Sequence, residues 1–194
     1  VNDLDIIVDG QKKVNNTPVG YGEYRDYLAF YTGDRAFEFV RDVDTEVLID
    51  TTLTFLPNKT YSVFIANPLD SVETVVLVDS ADMPGEGKAM IRFVHFSPDS
   101  PLMDVFVAGE KTFPELHYKN GTAFKEISAG KKTLEFKDFG EETVLLTVPN
   151  VEFKSREYYT VILQGFATPP AGNPRIRSPK PSPFTSPAEL TLRP

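Results

Sequence analysis

The sequence contains an internal repeat, and this repeat limits the possible folds more than any other feature. The first half aligns with the second half at an offset of about 98 residues. Apolar positions are kept between the two copies, and several residues are identical: Asp5 and Asp104, Val8 and Val107, Gly10 and Gly109, Gly33 and Gly130, and Tyr61 and Tyr159. A repeat of this length indicates that one structural unit occurs twice, so we expect two similar domains in tandem.

Each copy consists of short segments that are typical of β-strands. Leu4–Val8 and Met103–Val107 are rich in β-branched and apolar residues, and each is followed by a turn that contains glycine. Ala36–Val40 alternates in the way that a half-buried strand does. Lys59–Ala66 and Glu157–Leu163 are more apolar and suit strands that are covered on both faces. We therefore predict an all-β fold of two tandem immunoglobulin-like β-sandwich domains with Greek-key connections.

The two copies differ at their beginnings. We place the first β-sandwich unit at residues 1–85, the second at 86–168 and a Pro-rich tail at 169–194. The second unit opens with Ala89–Phe96, a strand with alternating apolar residues, and the first unit contains no counterpart of it. The matching segment of the first unit would lie before Val1. We therefore expect the first unit to lack its first strand, either because residues are missing there or because another segment fills that edge.

Proline limits what the tail can form. Eight of the 16 prolines lie at or after Pro169, and proline cannot donate the hydrogen bonds that a central strand needs. The tail is basic whereas the first unit is acidic, so we expect the tail to pack along the first unit. Its alternating segment Ala188–Leu192 is the candidate for an added edge strand.

Composition excludes several classes of function. The net charge of −8 and the pI of about 4.8 disfavour nucleic acid as a partner, because a phosphate backbone requires clustered Lys and Arg. The chain has no cysteine, so thiol chemistry and zinc–thiolate sites are absent. It contains no Gly-rich phosphate-binding motif and no apolar stretch that approaches the roughly 18 residues of a transmembrane segment. We expect no cofactor.

The segment Ile91–Gly109 resembles the opening of domain-of-unknown-function family 4397. That family has a strand of the form R-x-x-H-x-S-P-D, then a P-x-x-D-V strand and a turn glycine, and Arg92 to Asp99 and Pro101 to Val105 match this pattern. The first unit carries a weaker version, from Leu4 through Gly33 to Val63. The resemblance implies an exported bacterial protein, frequently a lipoprotein or surface-anchored one, with no assigned biochemical activity.

The most distinctive polar residues of this motif are His95, Ser97, Asp99 and Asp104. The first three stand at alternate positions, which invites a catalytic interpretation with a nucleophile, a base and an acid. Side chains at alternate positions of a strand point in parallel, however, and the neighbouring prolines indicate a tight corner with local hydrogen bonds. We therefore predict that these four residues form a structural corner and not a catalytic site.

Acidic clusters in the first unit raise the possibility of a metal site. Their spacing does not follow a calcium-binding loop, and such clusters are usually solvated surfaces. The two histidines are also not at a recognisable metal-ligand spacing. We predict no metal site at the clusters Asp3, Asp5 and Asp9 or Asp42, Asp44 and Glu46.

Aromatic residues are concentrated in one segment of the first unit. Tyr27 and Phe30 align with apolar residues of the second copy and are expected in the core. Tyr21, Tyr24 and Tyr31 remain as exposed residues that could form a binding platform for a partner protein or a glycan.

These observations favour a non-enzymatic cell-envelope or secreted module for adhesion, assembly or scaffolding. The expected location is extracytoplasmic: the periplasm, the outer membrane as a lipoprotein, or the cell surface. The alternative is a glycan-binding accessory protein that uses the exposed aromatics, and an esterase-like enzyme at the corner is a weaker one. An incomplete first unit could also exchange strands with another chain.

Overall fold

The computed structural model describes residues 3–67, 71–79, 82–168 and 181–184, and all the regular structure in these ranges is β. The chain divides into two compact units, Val1–Val78 and Asp79–Pro194. The division lies slightly before the boundary that we place at 85–86. The second unit also includes the tail strand.

The described residues of the first unit form six strands, and all of their pairings are antiparallel. A four-stranded sheet has the order β2-β1-β3-β4, and β5 and β6 form a separate hairpin. The strands are β1 (Leu4–Val8), β2 (Lys12–Lys13), β3 (Gly33–Arg41), β4 (Val47–Phe55), β5 (Tyr61–Ala66) and β6 (Glu73–Val78).

In the part of the second unit that the structure describes there are two four-stranded sheets, with the orders β9-β8-β11-β12 and β10-β7-β13-β14. The strands β7 and β13 run parallel, and the other pairs are antiparallel. The strands are β7 (Lys88–Phe96), β8 (Met103–Val107), β9 (Glu110–Leu116), β10 (Lys125–Ser128), β11 (Gly130–Asp138), β12 (Val144–Phe153), β13 (Tyr158–Gln164) and β14 (Pro181–Phe184).

The repeat in the sequence is a repeat in topology. The order β2-β1-β3-β4 recurs as β9-β8-β11-β12, and the pair β5-β6 recurs as β13-β14. Even the first hairpin turn recurs, because Asp9 and Gly10 have φ of 53° and 64°, and Ala108 and Gly109 have φ of 53° and 85°. Two successive residues with positive φ are typical of the tight turns that match the twist of a hairpin.

The core of the second unit lies between its two sheets. Ile91 and Phe93 of β7 and Val161 of β13 are fully buried against Val105 and Phe136 of the other sheet. The Phe93 ring contacts Phe136 with 5.8 Å between ring centroids. Both sheets therefore contribute side chains to one continuous core.

The core of the first unit is smaller. Its buried residues are Val8, Phe37, Phe39 and Leu53, and Phe30 and several other apolar side chains pack around them while remaining half-exposed. Of the two aromatic residues predicted for the core, Phe30 packs against it and Tyr27 is half-buried.

The tail contributes an edge strand to the second unit. Residues Pro181–Phe184 pair antiparallel with β13, with Ser182 opposite Thr160. An edge strand tolerates proline because only alternate backbone groups face the neighbouring strand. We expected the tail to pack along the first unit, and the part of it that the structure describes lies on the second. The candidate edge strand Ala188–Leu192 lies outside the described residues.

The different cores predict different sensitivities at equivalent positions. Phe153 is 1% exposed, whereas its counterpart Phe55 is half-buried. We expect Phe153→Ala to lower the free energy of unfolding of the second unit by about 3–5 kcal/mol, and Phe55→Ala to destabilise the first unit by clearly less. Native-state hydrogen exchange, read separately for the amides of each unit, measures both effects. Equal losses in the two variants would contradict this expectation.

Candidate functional site

His95 lies at the end of β7 and is completely buried. Its Nδ1 accepts a hydrogen bond from the backbone N–H of Ser97 at 3.2 Å, so the ring proton resides on Nε2. Nε2 donates it to the carbonyl oxygen of Pro101 at 3.4 Å, and the ring packs edge-on against Tyr118. Burial lowers the pKa of His95 below its ordinary value of 6.5, and this outweighs the opposite effect of the carbonyl groups nearby. His95 is therefore neutral, and its two ring nitrogens stabilise the corner through hydrogen bonds to the backbone of Ser97 and Pro101.

The Ser97 side chain is also buried, but it is directed to partners other than the histidine. Its Oγ lies 2.6 Å from the Ser100 hydroxyl and donates to Asp99 at 3.5 Å. The contact between Ser97 and His95 is made by the Ser97 backbone. The corner therefore brings together His95, Ser97 and Asp99, three of the four predicted residues, but without the hydroxyl-to-imidazole bond that activates a serine nucleophile.

Asp99 connects the corner to the end of β13. Its two carboxylate oxygens accept hydrogen bonds from the backbone N–H groups of Ala167 at 2.8 Å and Thr168 at 2.7 Å. Desolvation would raise the pKa of Asp99, but these two N–H groups lower it below its ordinary value. The carboxylate thus fastens the segment that follows β13.

Asp104 is 1% exposed and connects three parts of the other sheet. It forms an ion pair with Lys111 at 2.5 Å and accepts hydrogen bonds from the backbone N–H groups of Glu115 and Gly140. Burial would raise the pKa of Asp104, but Lys111 and the two N–H groups together hold it below its ordinary value. The counterpart Asp5 is paired with Lys13 at 2.7 Å. In both units the aspartate is therefore paired with a lysine of the next strand.

Arg92 is a buried charge that the sequence analysis did not single out as a site. It is 1% exposed, pairs with Asp79 at 2.5 Å and donates to the Thr160 hydroxyl at 2.8 Å. Its guanidinium also lies over the Phe124 ring. An arginine in the middle of an otherwise apolar strand is the signal that points to such a site, because a buried charge requires partners.

The tyrosine segment of the first unit, residues 20–32, has no regular secondary structure apart from a turn. Tyr27 is half-buried and lies within 3.5 Å of the Ser62 hydroxyl. Tyr21, Tyr24 and Tyr31 are 47%, 62% and 86% exposed. All three predicted platform residues are therefore accessible on one short segment.

The described residues include no group of three or more histidine, aspartate or glutamate side chains placed to hold a metal ion. No helix with the length and hydropathy of a bilayer-spanning segment occurs among them.

An all-β chain with a repeated sheet order and a His-x-Ser-Pro-Asp corner defines a class of tandem β-domain proteins. The family described as Domain of unknown function (DUF4397) matches the chain twice, at residues 1–105 and 89–182. The chain belongs to this family, and the two matches confirm the tandem copies. No curated protein matches it.

The buried histidine predicts a pH dependence of stability. Because the pKa of His95 is lowered in the folded state, its contribution is fully present above about pH 6.5 and is lost as the pH falls below that value. We expect the second unit to become less stable between pH 7 and pH 5, and His95→Gln to flatten this dependence. His117→Gln is the matched control, since His117 is exposed. Urea unfolding at several pH values measures the effect, and an unchanged slope in His95→Gln would contradict it.

Proposed function

We propose that the chain is a non-enzymatic module of the bacterial cell envelope or exterior, which serves adhesion, assembly or scaffolding. Its scaffold would be a pair of immunoglobulin-like Greek-key sandwiches. The second unit supports this finer assignment, because the chain leaves one sheet after β9, forms β10 in the other, and returns to place β11 beside β8. Domains of this kind hold binding loops on a rigid framework.

The observation that carries the proposal is the exposure of the tyrosine segment. Tyr24 and Tyr31 are among the most exposed large side chains of the described residues, and Leu28 between them is 50% exposed. Tyrosine is enriched at protein interfaces because it buries a large area, loses little conformational entropy and keeps a polar hydroxyl. A partner protein that covers this segment would therefore gain affinity from it.

The corner supports a role without catalysis. The hydrogen bonds of His95, Ser97 and Asp99 hold backbone segments and neighbouring hydroxyl groups. Residues that are engaged in this way contribute to the shape of the domain. A hydrolytic activity that is abolished by Ser97→Ala in an otherwise folded protein would overturn this part of the proposal.

An extracytoplasmic location is the second part of the proposal. Its support is the family resemblance, which implies an exported bacterial protein. The proposed sites are the periplasm, the outer membrane through a lipid anchor, or the cell surface. Protease treatment of intact cells and of cells with a permeabilised outer membrane separates these locations, and protection in both would place the protein in the cytoplasm and overturn the proposal.

A glycan is the alternative ligand for the same tyrosines. Tyrosine rings can stack on the apolar face of a sugar while the hydroxyl forms hydrogen bonds. The high exposure of Tyr31 and Tyr24 is the feature that favours this alternative.

The double variant Tyr24→Ala/Tyr31→Ala distinguishes these functions from a solvated loop. We expect it to weaken binding to the natural ligand by about 2 kcal/mol or more, which is about thirtyfold, while leaving stability unchanged. A photo-crosslinking residue at position 31 should capture a surface protein in cells, whereas the same residue at the exposed Leu145 should not. A glycan array is the parallel test.

The outcomes separate the two ligands. A protein cross-linked from position 31 alone supports the adhesion or assembly function, and array binding that the double variant abolishes supports the glycan alternative. Identical behaviour of positions 31 and 145, together with an array without hits, would reject the tyrosine segment as a binding site.

A further inference from the structure

Asn120 lies in the segment between β9 and β10, and it is the only asparagine of the sequence that precedes a glycine. Its side chain is exposed and forms no hydrogen bond with the residues that the structure describes. Asparagine is a thermolabile residue. Glycine has no Cβ, so the backbone nitrogen of Gly121 can approach the Asn120 side chain without a steric clash. Sequence and exposure together make this side-chain amide chemically vulnerable.

The backbone nitrogen of Gly121 is also available. The segment around it runs antiparallel beside the end of β7. There the His95 N–H donates to the Asn120 carbonyl at 3.1 Å, and the Thr122 N–H donates to β7 at the Phe93 carbonyl at 2.8 Å. Gly121 lies between these two bonds, so its own N–H faces away from β7. Within the described ranges this N–H has no acceptor, and the side-chain amide next to it has no partner either.

We propose that Asn120 is a site of spontaneous deamidation. The nitrogen of Gly121 forms a bond to the side-chain carbonyl carbon of Asn120. The side-chain nitrogen takes up the proton of the Gly121 N–H and leaves as ammonia, and the product is a five-membered succinimide ring. Water then adds to either of the two ring carbonyl carbons and opens the ring, which gives aspartate or isoaspartate. Water is the only co-reactant, and nothing is oxidised or reduced.

Isoaspartate changes the main chain at a place where the neighbouring hydrogen bonds require a fixed spacing. In this product the chain runs through the former side-chain carbonyl, so one extra methylene lies between residues 120 and 121. The carbonyl that accepts the hydrogen bond from His95 becomes part of a free carboxylate. The bonds to His95 and Phe93 lie on opposite sides of the insertion, so their spacing no longer matches β7. The reaction therefore loosens the segment beside the buried corner and adds a negative charge there.

The hydrogen bonds of Asn120 limit the rate of the reaction in the folded chain. Its N–H donates to the His117 carbonyl at 3.1 Å, and its carbonyl accepts from His95. These two bonds restrain the rotation that brings the Gly121 nitrogen to the side chain, so the reaction proceeds while they are open. Deamidation is therefore slower in the folded chain than in the unfolded one.

Asp9 shows what a restrained side chain looks like at an equivalent sequence. It precedes Gly10 and could also form a succinimide. Its carboxylate, however, accepts hydrogen bonds from the Ala36 N–H at 3.1 Å and from Arg35 at 3.2 Å. A carboxylate is also a poorer electrophile than an amide. Asn120 has neither form of protection, so the reaction is expected there first.

The whole chain, incubated for several weeks at physiological temperature and neutral pH, tests the proposal by peptide mapping with mass spectrometry. We expect Asn120 to gain the mass that separates an acid from an amide at least tenfold faster than Asn58, which is also exposed but precedes Lys59. An isoaspartyl methyltransferase, with S-adenosylmethionine as methyl donor, identifies isoaspartate in the same peptide. Equal rates at the two asparagines, or no methylation at residue 120, would contradict the proposal.

Two variants assign the reaction to these atoms. Gly121→Ala places a methyl group beside the reacting nitrogen, and the backbone accepts alanine because Gly121 does not have a positive φ. The rate at Asn120 should fall at least fivefold. If this variant fails to fold, Asn120→Gln replaces it, because the longer side chain would have to close a six-membered ring and methylation at residue 120 should disappear. An unchanged rate or unchanged methylation would reject the assignment.

The effect on the corner has its own measurement. Hydrogen exchange at the His95 amide, which donates to the Asn120 carbonyl, should be at least tenfold faster in the isoaspartyl form than in the unmodified chain. Asn120→Asp is the matched control, since it carries the same charge on a normal main chain and should keep this amide protected. Unchanged protection in the isoaspartyl form would reject the proposed loosening.

This inference goes beyond the proposed function and does not rest on it. The reaction takes place in the second unit and requires no ligand. Tyr24→Ala/Tyr31→Ala should therefore deamidate at the rate of the unaltered chain, so failure of the tyrosine segment as a binding site and failure of this inference are distinguishable.

Discussion

The parallel pairing of β7 with β13 is the interaction on which the second unit depends. β7 lies inside its sheet, with β10 on one side and β13 on the other. One face contributes Phe93 to the core, and the opposite face places Arg92 beside Thr160. The corner begins at its last residues, and Asp99 in this corner accepts a hydrogen bond from the segment that follows β13. The strand β7 therefore contributes residues to the sheet, the core, the buried ion pair and the corner.

Much of this arrangement is predictable from the sequence, because the repeat gives two copies of the residue pattern of a strand and the copies can be compared. Strands, hairpin turns and the inward position of Phe30 follow from alternation and turn residues. The corner of His95, Ser97 and Asp99 was recognisable from its prolines and short polar residues. In these places local pattern and final structure agree, since both depend on neighbouring residues.

Other features depend on contacts between residues that are distant in the sequence. The pattern of neighbouring residues therefore does not predict them. Pro181–Phe184 has the composition of a loop, and only the edge of β13 makes it a strand. The partner of Arg92 is Asp79, which lies in the connection before β7 and carries no signal of its own. The division of the chain at Val78 follows from that connection, which packs with the second unit.

The prolines of β14 have a consequence for how the second unit meets other molecules. The register places Ser182 and Phe184 opposite Thr160 and Tyr158, so Pro181 and Pro183 direct their backbone toward the outer edge. That edge offers carbonyl oxygens but no amide hydrogens at these positions. A neighbouring chain cannot form a regular ladder against it. Among the described residues β14 therefore ends the sheet with an edge that disfavours edge-to-edge aggregation.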